Sequence, residues 1–360
     1  MTSSGTVTCT TDRPSPEGNW HPDNLARIIT TLQSLAEQRP TPAPVAIFDF
    51  DNTCIFRDIG QATFRFQIEH LRYRITPEQL AIILPQGEGE LAGRPLAFIR
   101  NTLVQSYRDL WPLIASGQQT QAKQQPAYAL FATLLLWCTD MARKDERFGP
   151  RYVLPFMGKM LAGLTTKEVR QLAREVVEQA GDEPLAMERF SVEAPAPIGA
   201  IEASSPSGLH PYPEMRGLME QLAKAGIDRY VISASAEWLV EGAAPLLGFP
   251  IDNAHIFGIR VRLDADERLT IEDANDYPTT YREGKTEVIR RFIDGTPVLV
   301  AGDADTDYEM LTLPGVGLRL LINRMQTGII SNLYQQPDIL LQGIDLRRGL
   351  FRPSRDSLIA

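Results

Sequence analysis

Three apolar runs of strand length in this chain each stop at a chemically active tip. Val45-Ala46-Ile47-Phe48 runs into Asp49-Phe50-Asp51-Asn52-Thr53, and Tyr230-Val231-Ile232 runs into Ser233-Ala234-Ser235. Pro297-Val298-Leu299-Val300-Ala301 runs into Gly302-Asp303-Ala304-Asp305-Thr306-Asp307. Short unbroken apolar runs read as buried strands. Open α/β sheets bind their ligands outside the carboxyl ends of such strands. The tips are therefore candidates for one shared site on an α/β fold.

Each tip alone has an ordinary reading beside the chemical one. Two carboxylates two residues apart can divide the work of nucleophile and acid. They serve equally well as a calcium-type or capping pair. Ser233 can give its hydroxyl and backbone N–H to a phosphate oxygen, or cap the helix that starts near Glu237. Lys285, in Arg282-Glu283-Gly284-Lys285, opens an amphipathic stretch through Ile289 and Phe292. It can hold a phosphate as a compact charge or be a solvated lysine. The carboxylates of Asp303, Asp305 and Asp307 repel one another unless a cation joins them. Mg²⁺, which prefers oxygen ligands, resolves that repulsion.

Taken in order, DFDNT, ISAS, the isolated Lys285 and GDADTD resemble the motifs of the haloacid dehalogenase-like phosphohydrolase superfamily. The match covers residues 45–58 and 209–324. The resemblance implies a Rossmann-like parallel-sheet core with an inserted, mostly helical cap. It implies Asp49 as a nucleophile that forms an aspartyl-phosphate, and Asp51 as general acid/base. Thr53, Ser233, Ala234 and Lys285 would lie at the phosphate, with Thr53 also bracing the turn. Asp49, the Asp51 backbone carbonyl, Asp303 and Asp307 would hold or support Mg²⁺, and Asp305 has no assigned role. Phosphoryl transfer needs its spreading negative charge neutralised and its oxygens held, which this set of groups suits. Superfamily members that release halide lack an acid at the Asp51 position, so its presence points to phosphate esters.

Within the superfamily the chain looks most like the phosphorylcholine and phosphoserine phosphatase branch. That likeness rests on residues 147–156, 161–168 and 211–215. Ala234 and Ser235 stand where the phosphoserine enzymes usually carry two glycines. The expected activity is Mg²⁺-dependent hydrolysis of a small phosphorylated metabolite, with phosphorylcholine and phosphoserine as the suggested substrates. A phosphotransferase or mutase on the same core, and a non-catalytic regulatory protein, are the alternatives.

A chain of 360 residues exceeds what one core usually holds. The expected division is an N-terminal arm at 1–20, a core at 21–58 and 205–345, a cap at 59–204 and a tail at 346–360. Helical periodicity marks 23–37, then 64–71, 77–84, 96–111, 127–141, 152–161 and 167–179 within the cap. The Pro/Gly/Ser-rich stretch 195–213 reads as the return hinge. Residues 213–225 read as a helix, 228–232 as a strand and 256–271 as a hairpin turning at 264–268. The tail from 326 reads as a short helix and a possible edge strand. A quaternary ammonium substrate would need an aromatic cage. Tyr107, Trp111, Tyr128, Trp137, Phe148, Tyr152 and Phe156 are the candidates, though such spacings more often mark core. Arg143, Arg147 and Arg151 could instead meet a carboxylate or second phosphate.

The net charge of −9 argues against nonspecific nucleic-acid binding, and no apolar run reaches membrane-span length. Cys9, Cys54 and Cys138 show no paired spacing, which fits a reducing, cytoplasmic setting. The N-terminus has no apolar segment of an export signal and reads as a flexible arm. The four histidines form no zinc-ligand spacing. Oligomeric state leaves no mark in the sequence.

Overall fold

A computed structural model describes residues 18–38 and 41–359 of the chain. It opens with α1 (Pro22–Gln38), β1 (Pro44–Phe48) and a two-residue strand β2 (Ile55–Phe56). A long insertion follows: α2 (Ile59–His70), α3 (Pro77–Ile83), the small hairpin β3 (Glu90–Leu91) and β4 (Arg94–Pro95), α4 (Leu96–Ala115), α5 (Gln119–Ala122), α6 (Pro126–Lys144), α7 (Gly149–Lys159) and α8 (Thr166–Asp182). It closes with the hairpin β5 (Ala186–Ala194) and β6 (Gly199–Ser207). The chain returns through β7 (His210–Pro211), α9 (Pro213–Lys224), β8 (Asp228–Ala236), α10 (Glu237–Leu246) and β9 (Ile256–Ile259). The hairpin β10 (Val261–Leu263) and β11 (Leu269–Asp273) precedes α11 (Glu283–Phe292), β12 (Thr296–Gly302) and α12 (Tyr308–Leu311). The last strands are β13 (Leu318–Asn323), β14 (Ile339–Asp345) and β15 (Leu350–Phe351).

The main sheet has seven strands in the order β15-β14-β13-β12-β1-β8-β9. All neighbours pair in parallel except β14 and β15. The fold is α/β, with a Rossmann-like, mostly parallel core and an inserted, mostly helical segment. Alternation along β1 explains why both faces are covered. Val45 and Ile47 join one apolar cluster with Ile232, Val288, Val300 and Leu321, while Ala46 and Phe48 join another with Val231, Leu299 and Leu320. From β1 the chain builds outward to β8 and β9, then crosses to β12, β13 and β14. The sheet therefore reverses its order beside β1, and such switch points leave a crevice at the strand ends.

The insertion has an apolar cluster of its own, including Leu71, Leu103, Tyr107, Phe131, Leu134 and Ile201. Its helix starts follow capping chemistry. Thr76 with Gln79 and Thr165 with Glu168 form reciprocal capping boxes, and Asp58 accepts from the Gln61 N–H. Helix α8 turns its apolar face, Val169, Leu172, Ala173 and Val176, into the cluster of the main core.

Several expectations need correction. The stretch 195–213 is no simple hinge. Gly199–Ser207 is one arm of a nine-pair hairpin with Ala186–Ala194, and Phe190, Val192, Ile201 and Ala203 supply the apolar side. Ile256–Ile259 joins the main sheet instead of the hairpin, which spans Val261–Asp273. Strand β14 lies inside the sheet, and β15, from the expected tail, forms its edge. Of the expected arm, residues 1–17 lie outside the described residues. Trp20 is buried edge-on against Phe351 at 5.1 Å. No helix among the described residues is long and apolar enough to cross a membrane.

Candidate active site

Strand β1 delivers Asp49 to the switch point, and the Asp49 N–H is fixed by the Ala301 carbonyl of β12 at 2.9 Å. Strand β12 delivers Asp303 beside it, and a turn at Asp305–Asp307 folds Asp307 back under both. That fold needs Gly302, because a Cβ there would lie 2.6 Å from the Asp307 Cβ. Helix α11 contributes Lys285, which is fully buried. Its Nζ donates to Asp49 Oδ1 at 2.6 Å and to Asp307 Oδ1 at 2.7 Å. The other Asp307 oxygen accepts from the N–H groups of Asp303 and Ala304. Arg282 ties the α11 loop to the acidic loop: its N–H donates to the Thr306 carbonyl and its guanidinium grips Glu309.

The electrostatics follow from burial. Desolvation, then the Asp307 charge, pushes the Asp49 carboxyl well above its usual range, and Lys285 opposes this. Burial alone would lower the Lys285 pKa, but Asp307 and Asp49 more than reverse that and keep it charged. Single oxygens of Asp49, Asp303 and Asp307 lie within 4.8 Å of one another. Three buried carboxylates against one lysine and Arg324, which donates to Asp303 Oδ2 at 2.7 Å, leave an excess of negative oxygen. A hard divalent cation fits that donor set.

Asp51 sits on a separate network. Its Oδ1 accepts from the Ile59 N–H at 2.7 Å. Its Oδ2 accepts from the hydroxyls of Ser233 at 2.9 Å and Ser235 at 2.8 Å. Burial, with the Asp58 charge next, pushes its pKa up to about 8. Ser233 and Thr53 thus both donate to carboxylates here, Thr53 to Asp303 Oδ1 at 3.2 Å. Asp305 stands apart from the cluster and accepts from the Ile330 N–H, starting the turn at Ile329–Leu333.

Beside Asp51 a cleft runs between α2, α7 and β8. Asp58, Thr63, Arg143, Met157, Ala234 and Ser235 line it, and Phe64 is its one aromatic side chain. All seven cap aromatics named from the sequence belong to or pack against the insertion's own apolar cluster. Arg147 pairs with Asp145 and Arg151 with Glu283 at the surface. Only Arg143 of the three arginines enters the cleft.

Sequence reasoning missed Asp58, Ser235 and Arg324 as site residues. Arg324 had a signal, because it follows an apolar strand run as Asp303 does.

No family model matches this chain, and no curated protein does. Among solved structures, "a conserved functionally unknown protein from Anaerococcus prevotii DSM 20548" superposes with a TM-score of 0.83 at 22% identity, over 97% of this chain and 100% of that one. A phosphoserine phosphohydrolase-like protein from Francisella tularensis subsp. tularensis SCHU S4 aligns at TM-score 0.36 and 13% identity, over 78% and 87% of the two chains. A substrate-bound phosphoserine phosphatase aligns at TM-score 0.32 and 11% identity, over 87% and 93%. The first likeness shows that the whole fold recurs in another protein. The other two are too distant to bear on function.

Proposed function

We propose that the chain is a Mg²⁺-dependent phosphomonoesterase of the haloacid dehalogenase-like superfamily, working through an aspartyl-phosphate on Asp49. The observation that carries this reading is the ion pair of Lys285 with Asp49, buried at the sheet's switch point beside Asp303. Asp49 attacks phosphorus through the oxygen that Lys285 does not hold. Lys285 stabilises negative charge on the transferring group. Asp51, oriented by Ser233, Ser235 and the Ile59 N–H, protonates the leaving oxygen and then takes a proton from the attacking water. A carboxyl raised toward neutral pH suits that acid role. Asp49, the Asp51 carbonyl and Asp303 would hold Mg²⁺, with Asp307 in support, and the ion would supply positive charge at the phosphoryl oxygens.

The cleft is the natural place for the leaving alcohol. Asp58 and Arg143 offer one charge of each sign. No aromatic cage lines it among the described residues, which favours a phosphoserine-like ester over phosphorylcholine. Hydrolysis of an aryl phosphate with and without Mg²⁺, after chelator treatment, tests the reaction. Competition between phosphoserine and phosphorylcholine tests the leaving group. A preference for the choline ester would overturn the second half of the reading.

A further inference from the structure

We propose that Arg57, Arg324 and the Tyr212 hydroxyl form a second oxyanion site on the Asp303 side of the catalytic centre, suited to a phosphate or carboxylate group. Arg57 belongs to the turn after Asp51. Its N–H donates to Asn52 Oδ1 at 3.2 Å, and its carbonyl accepts the Asn52 N–H at 3.0 Å. That reciprocal pair holds Arg57 at a φ of +79°, in a region that side-chain-bearing residues rarely adopt. The backbone thus holds a strained conformation while placing an arginine there.

Among the described residues the arginine has no countercharge, and its guanidinium meets only the Ala186 carbonyl at 3.4 Å, the Met187 sulfur at 3.9 Å and the Phe56 ring at 5.2 Å. Burial, and after it the neighbouring Arg324 charge, holds Arg57 below its ordinary pKa. A half-buried arginine beside a like charge is unfavourable unless an anion joins it. Arg324 is partly offset, since it donates one nitrogen to Asp303 and feels Asp58.

Three donors remain unspent. The Nε atoms of Arg57 and Arg324 are buried without a hydrogen-bond partner among the described residues, and so is the Tyr212 hydroxyl. Tyr212 is wholly buried, and its phenol feels the charges of both arginines. Of the carboxylates near it, Glu214 accepts the Asn19 N–H through Oε1 while its Oε2 is buried without a partner among the described residues, and Asp303 accepts Thr53 and Arg324. Planar guanidinium forks match the oxygens of phosphate and carboxylate. The group could belong to the substrate itself or be free phosphate.

Calorimetric titration of chelator-treated protein with inorganic phosphate tests the site. It needs no turnover, so it stands apart from the reading of Asp49 as nucleophile. Saturable binding of one phosphate is expected, weakened about tenfold or more in Arg57→Gln, with Arg57→Lys in between. Arg57→Gln is the deciding variant, because Arg57 makes few native contacts and Arg324→Gln would also strip Asp303 of its partner. Absence of saturable binding, or binding indifferent to Arg57→Gln, would overturn the proposal. With Mg²⁺ restored, the KM ratio of phosphoserine to an aryl phosphate whose aryl group carries no charge separates the two sources. A ratio that rises in Arg57→Gln assigns the site to the substrate's own carboxylate. A constant ratio, with product inhibition by phosphate relieved, assigns it to free phosphate.

Discussion

Inside the insertion, Tyr107 stacks on Phe131 at 5.1 Å and meets Tyr73 edge-on at 5.9 Å. Its tyrosine hydroxyls bond to backbone carbonyls, Tyr107 to Ile75 and Tyr152 to Ile83. At the top of the sheet the chain buries Asp49, Asp51, Asp303 and Asp307 just past strand ends, together with Lys285 from helix α11. One interior is held by apolar area and shape. The other hides charges whose desolvation is offset by one another, by Arg324, by the hydroxyls of Thr53, Ser233 and Ser235 and by backbone N–H groups. A protein gains little stability from the second arrangement, so its presence beside a switch point speaks for chemistry.

The contrast can be broken by substitution. Asp49→Asn should cut aryl phosphate turnover about a thousandfold or more, roughly 4 kcal/mol of barrier, with the unfolding transition nearly intact. Turnover near that of the unaltered protein would remove Asp49 from the mechanism. Lys285→Met should cost about 3–5 kcal/mol of stability in urea titrations, because it strands two buried carboxylates. It should abolish turnover as well. A stable, active Lys285→Met protein would mean that the buried charges are merely structural.

On the other side of the comparison, Tyr107→Phe should cost about 1–2 kcal/mol by leaving the buried Ile75 carbonyl unpaired. Turnover per folded molecule should hold, and a fall matching that of the charged-site variants would erase the distinction. The smallest effect belongs to Glu168 in its capping box. Slight burial would raise its pKa, but the Thr165 N–H and Arg74 win and hold it at about 2 against an ordinary 4.5. Its contribution is present above the ordinary value and disappears as pH falls toward the folded one. Glu168→Gln should lower the melting temperature slightly at neutral pH, and the gap should close on acidification. A gap that persists in acid would assign the effect to lost packing.

Much of this arrangement was legible in the sequence because it is local. Apolar runs of three to five residues leading into Asp or Ser fix strand, end and tip together, and the six helical stretches between 64 and 179 announce themselves by period. What escaped depends on distant partners. The β5–β6 hairpin was hidden by its prolines and serines, although Phe190, Val192 and Ile201 alternate with polar residues. Ser235 gained its place only when β8 set it against Asp51, 184 residues away in sequence. Arg57 and Arg324 meet only through the tertiary fold. Trp20 looked like part of a loose arm until Phe351, from the far end of the chain, covered it.

Strands β2 and β7, with Ile55 opposite Pro211 and Phe56 opposite His210, clasp the exit and return of the insertion side by side. The Tyr212 N–H adds a bond to the Cys54 carbonyl at 3.0 Å. To the sheet, everything between Phe56 and His210 is the loop of a hairpin. Loop length is entropically cheap, about 0.6 kcal/mol for each doubling, so lineages could lengthen, trim or trade this excursion without retuning the strands beneath it. Packing of the insertion on the core limits that freedom. Helix α8 lies so close on α10 that Gly242 has no room for a side chain against the Arg170 backbone. Any transplanted excursion must bring a helix to lie along that groove, or leave Leu239, Val240 and Ala243 bare to water.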